Sequence, residues 1–581
     1  MKRIIISTLT LLSISLTQNT LIIPDTLSGT DLNLTLQNGT FSFYEGISTT
    51  TMGANGNILG PTLIMNNGDF VDIKVTNQLA DTTTIHWHGM HVSSENDGGP
   101  HTTIAPGVTW NPKFSVLDKA GTYWYHPHLH EKTNLHVSKG IAGFIIVRDS
   151  EEAALNLPRT YGIDDFPLVF QTKTFDSNKE IVVPSNADSV LMVNATINAT
   201  LDVPAQVVRF RLLDGSSQRV FNIGLSDNRS FSQIGSDGGL LESSNTVTRL
   251  QLAPGERAEV LIDFSSMEGE TISLMSYASE FGNGIYGATY PGMGTGITMD
   301  GYNPNVLNGN DFSLIEFKVV SPTSNPITSI PETLVAVTPL LESDVDTTRS
   351  FTLSAVAMGP NALNGDFLIN GASFKMDEIN EIIPLNNTEI WSITNQSPIA
   401  HPFHIHDVQF YILDRDGVKP SKAEAGRKDV VLVNPQETVR FITEFRDFAD
   451  DAVPYMYHCH MLTHEDQGMM GQFIVVDMLA SVDEFPLIAK EFSLHPSYPN
   501  PFNPKTIIKY ELSQPGLVAL TIYNISGQEV ATLVKESQSM GVYKSYWSGK
   551  NDIGRDMPSG IYFYTLKMNG ESRTRKMVLM R

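Results

Sequence analysis

Histidine is concentrated in two distant parts of this 581-residue chain. Eight of its fifteen histidines lie between His86 and His136, six lie between His401 and His464, and positions 137 to 400 have none. Imidazole is among the commonest metal ligands in proteins. The distribution therefore predicts metal chemistry that two segments share and that a central segment without ligands separates.

Four short motifs contain most of these histidines, and their spacing suits β-strands. They are His86-Trp87-His88, His126-Pro127-His128, His401-Pro402-Phe403-His404-Ile405-His406 and His458-Cys459-His460. Successive side chains of an extended strand point to opposite faces, so histidines two positions apart share a face. The same rule puts Cys459 on the face opposite to His458 and His460. One strand is therefore predicted to join two metal sites that lie on its two sides.

The cysteine side has the ligand types of a blue-copper electron-transfer site, which are a thiolate, two imidazoles and a distant thioether. Cys459, His464 and Met469 lie within one short stretch, and His401 can provide the second imidazole. On the other side, His458 and His460 can join the three H-x-H pairs, which gives eight imidazoles for a multinuclear cluster. Imidazole also suits zinc, and the neighbouring cysteine site favours copper.

With these motifs the sequence resembles the three-domain multicopper oxidases, a group that includes laccases, bilirubin oxidases, spore-coat oxidases and bacterial cuprous oxidases. The resemblance runs from about Leu21 to Asp477, with all four copper motifs in the family's order and spacing. It implies four copper ions as cofactors: one type 1, one type 2 and two type 3. The implied type 1 ligands are His401, Cys459, His464 and Met469. The implied type 2 ligands are His86 and His404, and the implied type 3 ligands are His88, His126, His128, His406, His458 and His460.

The resemblance also implies a mechanism. The type 1 copper takes electrons one at a time from a small-molecule reducing substrate, and Cys459 with its two neighbours passes them to a trinuclear cluster that reduces O2 to water. Two carboxylates match the family's acidic residues near that cluster, Asp97 and Glu465. From the residues alone, Asp97 also suits an Asp-Gly turn, and Glu465 with Asp466 also suits a solvated loop.

The composition predicts an all-β fold, because 44 glycines and 31 prolines accompany many short apolar stretches and no long helical pattern. The resemblance implies three cupredoxin-like Greek-key β-barrel domains, which we place at residues 20–150, 160–320 and 345–480. The middle domain carries no copper ligand and is expected to hold the other two in register. The trinuclear cluster is then expected where the first and third domains meet.

Both ends of the chain indicate export. Residues 1–18 begin Met1-Lys2-Arg3 and continue with a short apolar run, which predicts a secretory signal; a buried first strand is the alternative. Residues 490–581 predict a small β-sandwich, with Pro-Asn-Pro-Phe-Asn-Pro at 499–504 and Ser559-Gly560-Ile561-Tyr562. This tail is similar to the C-terminal sorting domain of the bacterial type IX secretion system, although a generic adhesive sandwich remains open. The resemblance implies secretion machinery as a partner, and a secreted or cell-surface protein exported through the periplasm of a Gram-negative-type bacterium.

Composition excludes several other classes. A net charge of -24 argues against nucleic acid as a partner, and a single cysteine excludes a disulfide within the chain. Beyond the signal, no apolar stretch is long enough for a transmembrane helix, so none is expected in the mature chain.

The electron donor is the least determined feature of the sequence. The 21 methionines include Met293, Met299 and Met358 but form no dense Met/His tract of the kind that binds Cu(I), so we expect a laccase-like oxidase of phenols or aromatic amines. A cuprous or ferrous oxidase for copper tolerance is the alternative. Copper storage and a copper-free structural role, as in some relatives, are further alternatives.

Overall fold

The computed structural model describes residues 18–185, 187–293, 302, 305–356, 366–477, 492–497 and 500–580. Strands dominate these residues, so the chain has the predicted all-β fold, of the cupredoxin-like kind. Apart from Gln18, the predicted signal segment lies outside the described residues. Four short α-helices connect strands within them: α1 (Ser94–Asp97), α2 (Thr133–Lys139), α3 (Ser150–Ala153) and α4 (Leu462–Asp466). Short 3-10 helices occupy Ala278–Glu280, Glu342–Asp344 and Lys422–Glu424.

The described residues fall into two compact units. The first comprises those within Met1–Phe374, Asn387–Glu444 and Tyr455–Gly471, and the second comprises those within Lys375–Asn386, Phe445–Pro454 and Gln472–Arg581. All the predicted copper ligands belong to the first unit.

Of the first eleven described strands, all but β1 build two sheets of the first unit, in the orders β2-β5-β11-β10-β7 and β4-β3-β6-β8, with β9 on β6. The strands are β1 (Asn19–Thr20), β2 (Thr26–Ser28), β3 (Asp31–Tyr44), β4 (Ile47–Ala54), β5 (Thr62–Asn66), β6 (Phe70–Asn77), β7 (His86–His88), β8 (Thr109–Trp110), β9 (Lys113–Ser115), β10 (Gly121–His126) and β11 (Gly143–Arg148). Strand β6 shows why they form, because Val71, Ile73 and Val75 are buried while the residues between them are partly exposed. By contrast, β7 and β10 are buried along their whole length.

The central part of the chain forms two six-stranded sheets, in the orders β1-β14-β22-β21-β16-β19 and β13-β12-β15-β20-β17-β18. The strands are β12 (Asp165–Lys173), β13 (Val190–Val193), β14 (Ala199–Pro204), β15 (Val207–Asp214), β16 (Phe221–Leu225), β17 (Phe231–Ser236), β18 (Gly239–Val247), β19 (Leu250–Leu252), β20 (Arg257–Asp263), β21 (Thr271–Tyr277) and β22 (Asp311–Val320). Phe166, Phe210, Phe221 and Phe317 lie in their shared core. Strand β1 pairs in parallel with β14, so the first strand of the chain belongs to a central sheet.

The next strands carry the remaining histidine motifs. They are β23 (Thr347–Ala355), β24 (Phe367–Ile369), β25 (Glu381–Pro384), β26 (Thr388–Asn395), β27 (His401–Ile405), β28 (Phe410–Arg415), β29 (Val430–Val433), β30 (Thr438–Glu444), β31 (Asp450–Cys459) and β32 (Met470–Val476). In the first unit, one sheet has the order β24-β23-β26-β30-β28, and β27 pairs antiparallel with both β29 and β31. Phe351, Trp391, Phe403 and Phe441 pack in contact there. In the second unit, β25 pairs in parallel with β32.

The tail, within the second unit, forms two antiparallel sheets, β33-β34-β37 and β36-β35-β38-β39. The strands are β33 (Ser493–Leu494), β34 (Thr506–Leu512), β35 (Gly516–Asn524), β36 (Glu529–Gln538), β37 (Gly541–Trp547), β38 (Gly560–Met568) and β39 (Glu571–Leu579). They enclose a core of their own that includes Phe502, Trp547 and Tyr562. The domain boundaries given above remain predictions.

Candidate metal centres

Paired strands bring the four histidine motifs to neighbouring positions. Strands β7 and β10 are antiparallel with His86 opposite His126, and β27 and β31 are antiparallel with His404 opposite His458. Each pair of motifs therefore comes from two hydrogen-bonded strands, and strand register fixes the relative positions of the rings. All four imidazoles are buried.

The cysteine faces two imidazoles. The Cys459 Sγ lies 3.4 Å from the His401 Nδ1 and 3.5 Å from the His464 Nδ1. Met469 is fully buried beside them: its amide donates to the His464 carbonyl and its own carbonyl accepts from the Cys459 amide. Burial raises the pKa of the Cys459 thiol, so a bound cation would be needed to hold it as a thiolate.

A hydroxyl and an aromatic ring contact the outer side of this group. The Ser397 hydroxyl lies 2.7 Å from the His401 Nε2. When the ring donates to that hydroxyl, the Nδ1 lone pair is left facing Cys459. The Phe367 ring packs against His401 and His464, with centroid distances of 4.8 Å and 4.3 Å.

Eight imidazoles gather on the opposite face of β31, as strand alternation predicts. Ligand atoms within 4.8 Å of one another define three histidine groups, which are His86/His404/His406, His88/His126/His460 and His128/His406/His458. Four of the eight come from each histidine-rich segment. The sequence-predicted ligands are thus divided between this cluster and the Cys459 group, and His458 and His460 flank the cysteine along the chain.

Three of these rings direct their Nε2 atoms at each other. The Nε2 atoms of His128, His406 and His458 lie 3.1 to 3.4 Å apart. The Nδ1 of His406 donates to Asp97 and that of His458 donates to a backbone carbonyl, which places the lone pairs on Nε2. Lone pairs that converge without a proton between them repel, so this arrangement fits a cation at their centre.

Backbone carbonyls fix several rings through Nδ1. His86 donates to the Asp97 carbonyl at 2.9 Å, His404 to the Asp429 carbonyl at 2.8 Å, and His126 to the Pro127 carbonyl at 2.8 Å. The Nε2 atoms of His86 and His404 are buried without a hydrogen-bond partner. A metal ion would satisfy both atoms, and such outer hydrogen bonds commonly orient metal-binding histidines.

Asp97 contacts the cluster from helix α1. Its Oδ2 accepts the His406 Nδ1–H at 2.8 Å, and its carbonyl accepts from His86. The helix packs so closely on β7 that a Cβ on Gly98 would lie 1.7 Å from the Ile85 carbonyl oxygen. Asp97 is therefore a buried residue that contacts two rings, His406 through its carboxylate and His86 through its carbonyl.

Glu465 lies on the other side of the cluster, in helix α4. Its carboxylate oxygens are 3.4 Å from the His128 Nδ1 and 3.3 Å from the His458 Nδ1. It is buried rather than in a solvated loop, and burial raises its pKa well above the usual range. Asp466 next to it accepts the Thr133 and Asn134 amides, which joins α4 to α2.

Two residues that the motif analysis missed also support the cluster. The Asp429 Oδ1 lies 3.0 Å from the His88 Nε2, and Asp429 forms a bidentate ion pair with Arg257 of β20. All three side chains are buried. Neither Arg257 nor Asp429 lies in a recognisable motif, so the sequence gives little indication of their role. The position of Asp429 directly before the apolar strand Val430–Val433 could have indicated a buried ion pair.

Burial favours the neutral form of most imidazoles of the cluster. It lowers the pKa of His458 to about 3, and the direction is the same for other members of the cluster: His88, His126, His128, His404, His406 and His460. Neighbouring imidazoles add to the effect for most of them. Neutral imidazole is the form that binds metal ions.

Comparisons with known proteins agree with this geometry. Multicopper oxidase family models match residues 35–152 and 343–478, and an FlgD Ig-like domain model matches residues 505–573. The multicopper oxidase mco of Staphylococcus haemolyticus is 35% identical over 454 residues, which cover 76% of this chain and 88% of that protein. The cell division protein FtsP of Proteus mirabilis is 30% identical over 451 residues, covering 77% and 89%.

A solved structure is similar as well. It is that of the laccase-like multicopper oxidase CueO from the lignin-degrading bacterium Ochrobactrum sp., which has oxidase activity towards lignin model compounds. The similarity covers 78% of this chain and 100% of that chain, at 33% identity and a TM-score of 0.69.

Proposed function

This chain belongs to the multicopper oxidase family, and we propose that it is a laccase-like enzyme that couples one-electron oxidation of phenols or aromatic amines to reduction of O2 to water. The observation that carries the proposal is the position of Cys459. Its side chain faces His401 and His464, while His458 and His460 on either side of it belong to the eight-imidazole cluster. A single strand end thus joins a one-metal site to a site for several metal ions.

The proposal assigns the ligands of four copper ions. Type 1 copper is held by His401, Cys459, His464 and Met469, type 2 copper by His86 and His404, and the type 3 pair by His88, His126, His128, His406, His458 and His460. Thiolate, imidazole and thioether are ligands that suit copper. The buried Nε2 atoms of His86 and His404, which lack partners, support this assignment, as do the convergent Nε2 atoms of His128, His406 and His458.

Bound copper supplies one-electron transfer at the cysteine site and O2 reduction at the imidazole cluster. The chain connects the two, because peptide bonds link Cys459 directly to His458 and His460. Water formation consumes protons, and the proposal assigns their delivery to Asp97 and Glu465. Both carboxylates are buried against rings of the cluster, within the range from which a positioned acid can deliver a proton directly or through one water.

A phenol or aromatic amine is the donor class that the surroundings of the cysteine group favour. The described side chains against its imidazoles include the Phe367 ring and the Ser397 hydroxyl, both of which are buried and neither of which offers a thioether to a Cu(I) substrate. Met293 is 49% exposed in a glycine-rich segment, and Met299 and Met358 lie outside the described residues. The laccase-like activity of the Ochrobactrum relative points to the same class.

Oxygen consumption tests the donor class. The holoprotein is given dimethoxyphenol or chelated Cu(I) under air, with Cys459→Ser as the matched control for spontaneous oxidation. We expect the phenol to be turned over with the higher kcat/KM, and both reactions to fall to background in the variant. Dominant Cu(I) oxidation would instead establish a cuprous oxidase.

Metal analysis distinguishes an oxidase from a structural relative. The similarity to a cell division protein makes this test necessary. We expect four coppers per chain and an intense visible thiolate-to-copper band that Cys459→Ser abolishes. A protein that stays colourless after copper loading and consumes no O2 with any reductant would refute the oxidase proposal.

We also propose that the protein is exported and reaches the cell surface or the medium. The apolar run after Lys2 and Arg3 and the tail, which has a core of its own, support this. Cell fractionation with intact-mass measurement tests it. The expected mature chain lacks about the first 18 residues and is found outside the cytoplasm.

A further inference from the structure

A small polar cavity lies where strand β12 ends at Lys173, apart from the copper-ligand candidates. Its volume is about 20 Å³, enough for one or two water-sized particles. Hydroxyl and amide side chains line much of it, among them Asn134, Ser138, Ser217 and Gln218. Lys173 lines the same cavity and is only 5% exposed.

The Lys173 side chain is largely buried, and its ammonium has no counter-charge beside it. Among the residues that the structure describes, no carboxylate lies within 4.0 Å of its Nζ. The acid on the cavity wall, Asp188, is already occupied, because its two oxygens pair with the Arg219 guanidinium at 2.6 and 2.9 Å and accept from the Thr172 hydroxyl. Lys139 lies near enough to add positive potential.

A buried charge without a partner is costly, so such a group either loses its proton or acquires a counter-ion. Burial, with a smaller effect of Lys139, lowers the pKa of Lys173 to about 7, so the ammonium is still accessible near neutral pH. An anion beside it would raise that pKa and keep the group charged. The cavity has the space that a counter-ion needs.

The wall can also donate hydrogen bonds. The Ser138 hydroxyl lies 2.9 Å from the Asn134 Oδ1 and 3.0 Å from the Ser217 hydroxyl, and the Asn134 amide donates to the Thr463 hydroxyl. The Ser138 hydroxyl donates to the Asn134 Oδ1, so Ser217 is the donor between the two serines. Hydroxyl protons rotate to suit their surroundings, so Ser217 can exchange this bond for one to an anion. A cation, a rotatable donor and space therefore meet in one place.

We propose that this cavity binds a small monovalent inorganic anion of halide size, held by the Lys173 ammonium and the hydroxyls on the cavity wall. The site reaches helix α4, because Thr463 lines the cavity and the Leu462 amide donates to the Ser217 carbonyl. An occupying anion would thus hold the turn that carries His464 against strand β12.

Bromide is the probe, since its anomalous scattering locates it in crystals. Crystals of the full-length holoprotein soaked in sodium bromide should show an anomalous peak in the cavity beside Lys173. Crystals of Lys173→Met should lack that peak. The absence of a peak there in the wild-type protein, with the cavity holding water or nothing, would overturn the proposal without any variant.

Thermal unfolding provides the solution measurement. The Tm of the holoprotein is followed against sodium bromide at constant ionic strength, with gluconate as the bulky replacement anion. We expect a saturable rise in Tm, since a ligand that binds only the folded state stabilises it. Lys173→Met should lose the rise, whereas Lys119→Met, which removes an exposed lysine paired with Glu151, should keep it. An equal rise in Lys173→Met would assign the effect to bromide bound elsewhere, including at copper, and would contradict the proposal.

Discussion

At the scale of single residues, the chemistry depends on which ring nitrogen each neighbour engages. Asp97 engages the Nδ1 of His406 with its carboxylate and the Nδ1 of His86 with its carbonyl, so one residue orients two rings of the cluster. Its carboxylate is also buried against the cluster, where the proposed function has protons consumed. Orientation and proton delivery are separable, because an amide retains the shape and loses the acid.

Asp97→Asn should therefore slow O2 reduction while leaving the cysteine site intact. We expect kcat to fall by about 10²- to 10⁴-fold, the usual contribution of a positioned acid or base. Steady-state oxygen consumption measures the loss, and an unchanged visible band reports the cysteine site. Glu95→Gln, an exposed acid in the same helix, is the matched control. A variant with wild-type kcat would exclude Asp97 from proton delivery.

Met469 should act on the potential of the cysteine site rather than on folding. It is buried next to His464, and an axial thioether is one of the groups that set the potential of such sites. Met469→Leu conserves volume and removes the thioether, so we expect a higher type 1 potential and an unchanged fold. A redox titration followed in the visible band measures it. Met470→Leu, in the neighbouring cluster with Phe374 and Met456, should leave the potential unchanged.

Asp118 should make stability depend on pH. Burial raises its pKa from 3.8 to about 6 although the His91 amide donates to its carboxylate. The folded state thus holds a proton that the unfolded chain has lost, so this residue's contribution to stability decreases as pH rises, by about 2 kcal/mol between pH 4 and 6 and by about 3 kcal/mol over the whole titration.

The Asp118→Asn variant isolates this effect, because its side chain stays neutral at every pH. Urea unfolding of both proteins at pH 4, 5 and 6 should give a wild-type-minus-variant difference in the free energy of unfolding that declines with pH. Glu45→Gln, which changes an exposed acid, should show no such decline. A parallel pH dependence of wild type and Asp118→Asn would contradict the expectation.

At the scale of elements, the central sheets contribute to the metal cluster without providing a ligand. Strand β20 carries Arg257, whose guanidinium pairs with Asp429, and Asp429 in turn contacts the His88 ring and the His404 Nδ1. Arg257 also donates to the Thr122 and Gly255 carbonyls. The ligand-free segment therefore helps to set the positions of rings from both histidine-rich segments.

Arg257→Met should be severely destabilising, because it leaves Asp429 buried and unpaired. Loss of one partner of a buried pair typically costs about 3–5 kcal/mol. Urea unfolding measures the free energy, and copper content per chain reports the cluster, which we expect to lose metal. Arg229→Met, which breaks an exposed pair with Asp227, should change stability by only about 0–1 kcal/mol. If the Arg257→Met variant is destabilised but keeps its full copper content, the Arg257–Asp429 pair contributes to folding and not to copper binding.

Strand alternation explains why much of the candidate site was predictable and where prediction ended. Residues one and two positions apart, such as His458, Cys459 and His460, have relative directions that a period of two determines. Arg257 and Asp429 are 172 positions apart and meet only through tertiary packing. The sequence around Lys173 and Asp118 does not distinguish them from charged residues on the surface, because burial is a property of the assembled sheets.

The all-β class followed from composition. The pairing of β1 with β14 did not, since the register between distant segments has no local signal in the sequence.

At the scale of the whole molecule, the tail has strands and a core of its own. In the described part of the chain, β33 to β39 pair with one another, and the candidate ligands all belong to the other unit. Oxidase activity and export are therefore expected to be separable.

A chain that ends after Asp477 should retain copper and oxidise phenols when purified, yet fail to reach the cell surface or medium. Cell fractionation, copper analysis and oxygen consumption measure the three properties. Full-length Cys459→Ser is the converse control and should be exported but inactive. Normal export of the truncated chain would show that the tail is not required for export.

The carbonyl groups that hold His86, His126, His404 and His458 through Nδ1 have a consequence for metal loading. These rings enter the folded protein as a single tautomer, so an incoming ion displaces no hydrogen from them and meets ligands that need little rearrangement. Cys459 differs, because its thiol must release a proton before it can coordinate. We therefore expect metal binding at the Cys459 site to release a proton and metal binding at these histidines to release none. Acidification should then remove the metal ion from the Cys459 site first.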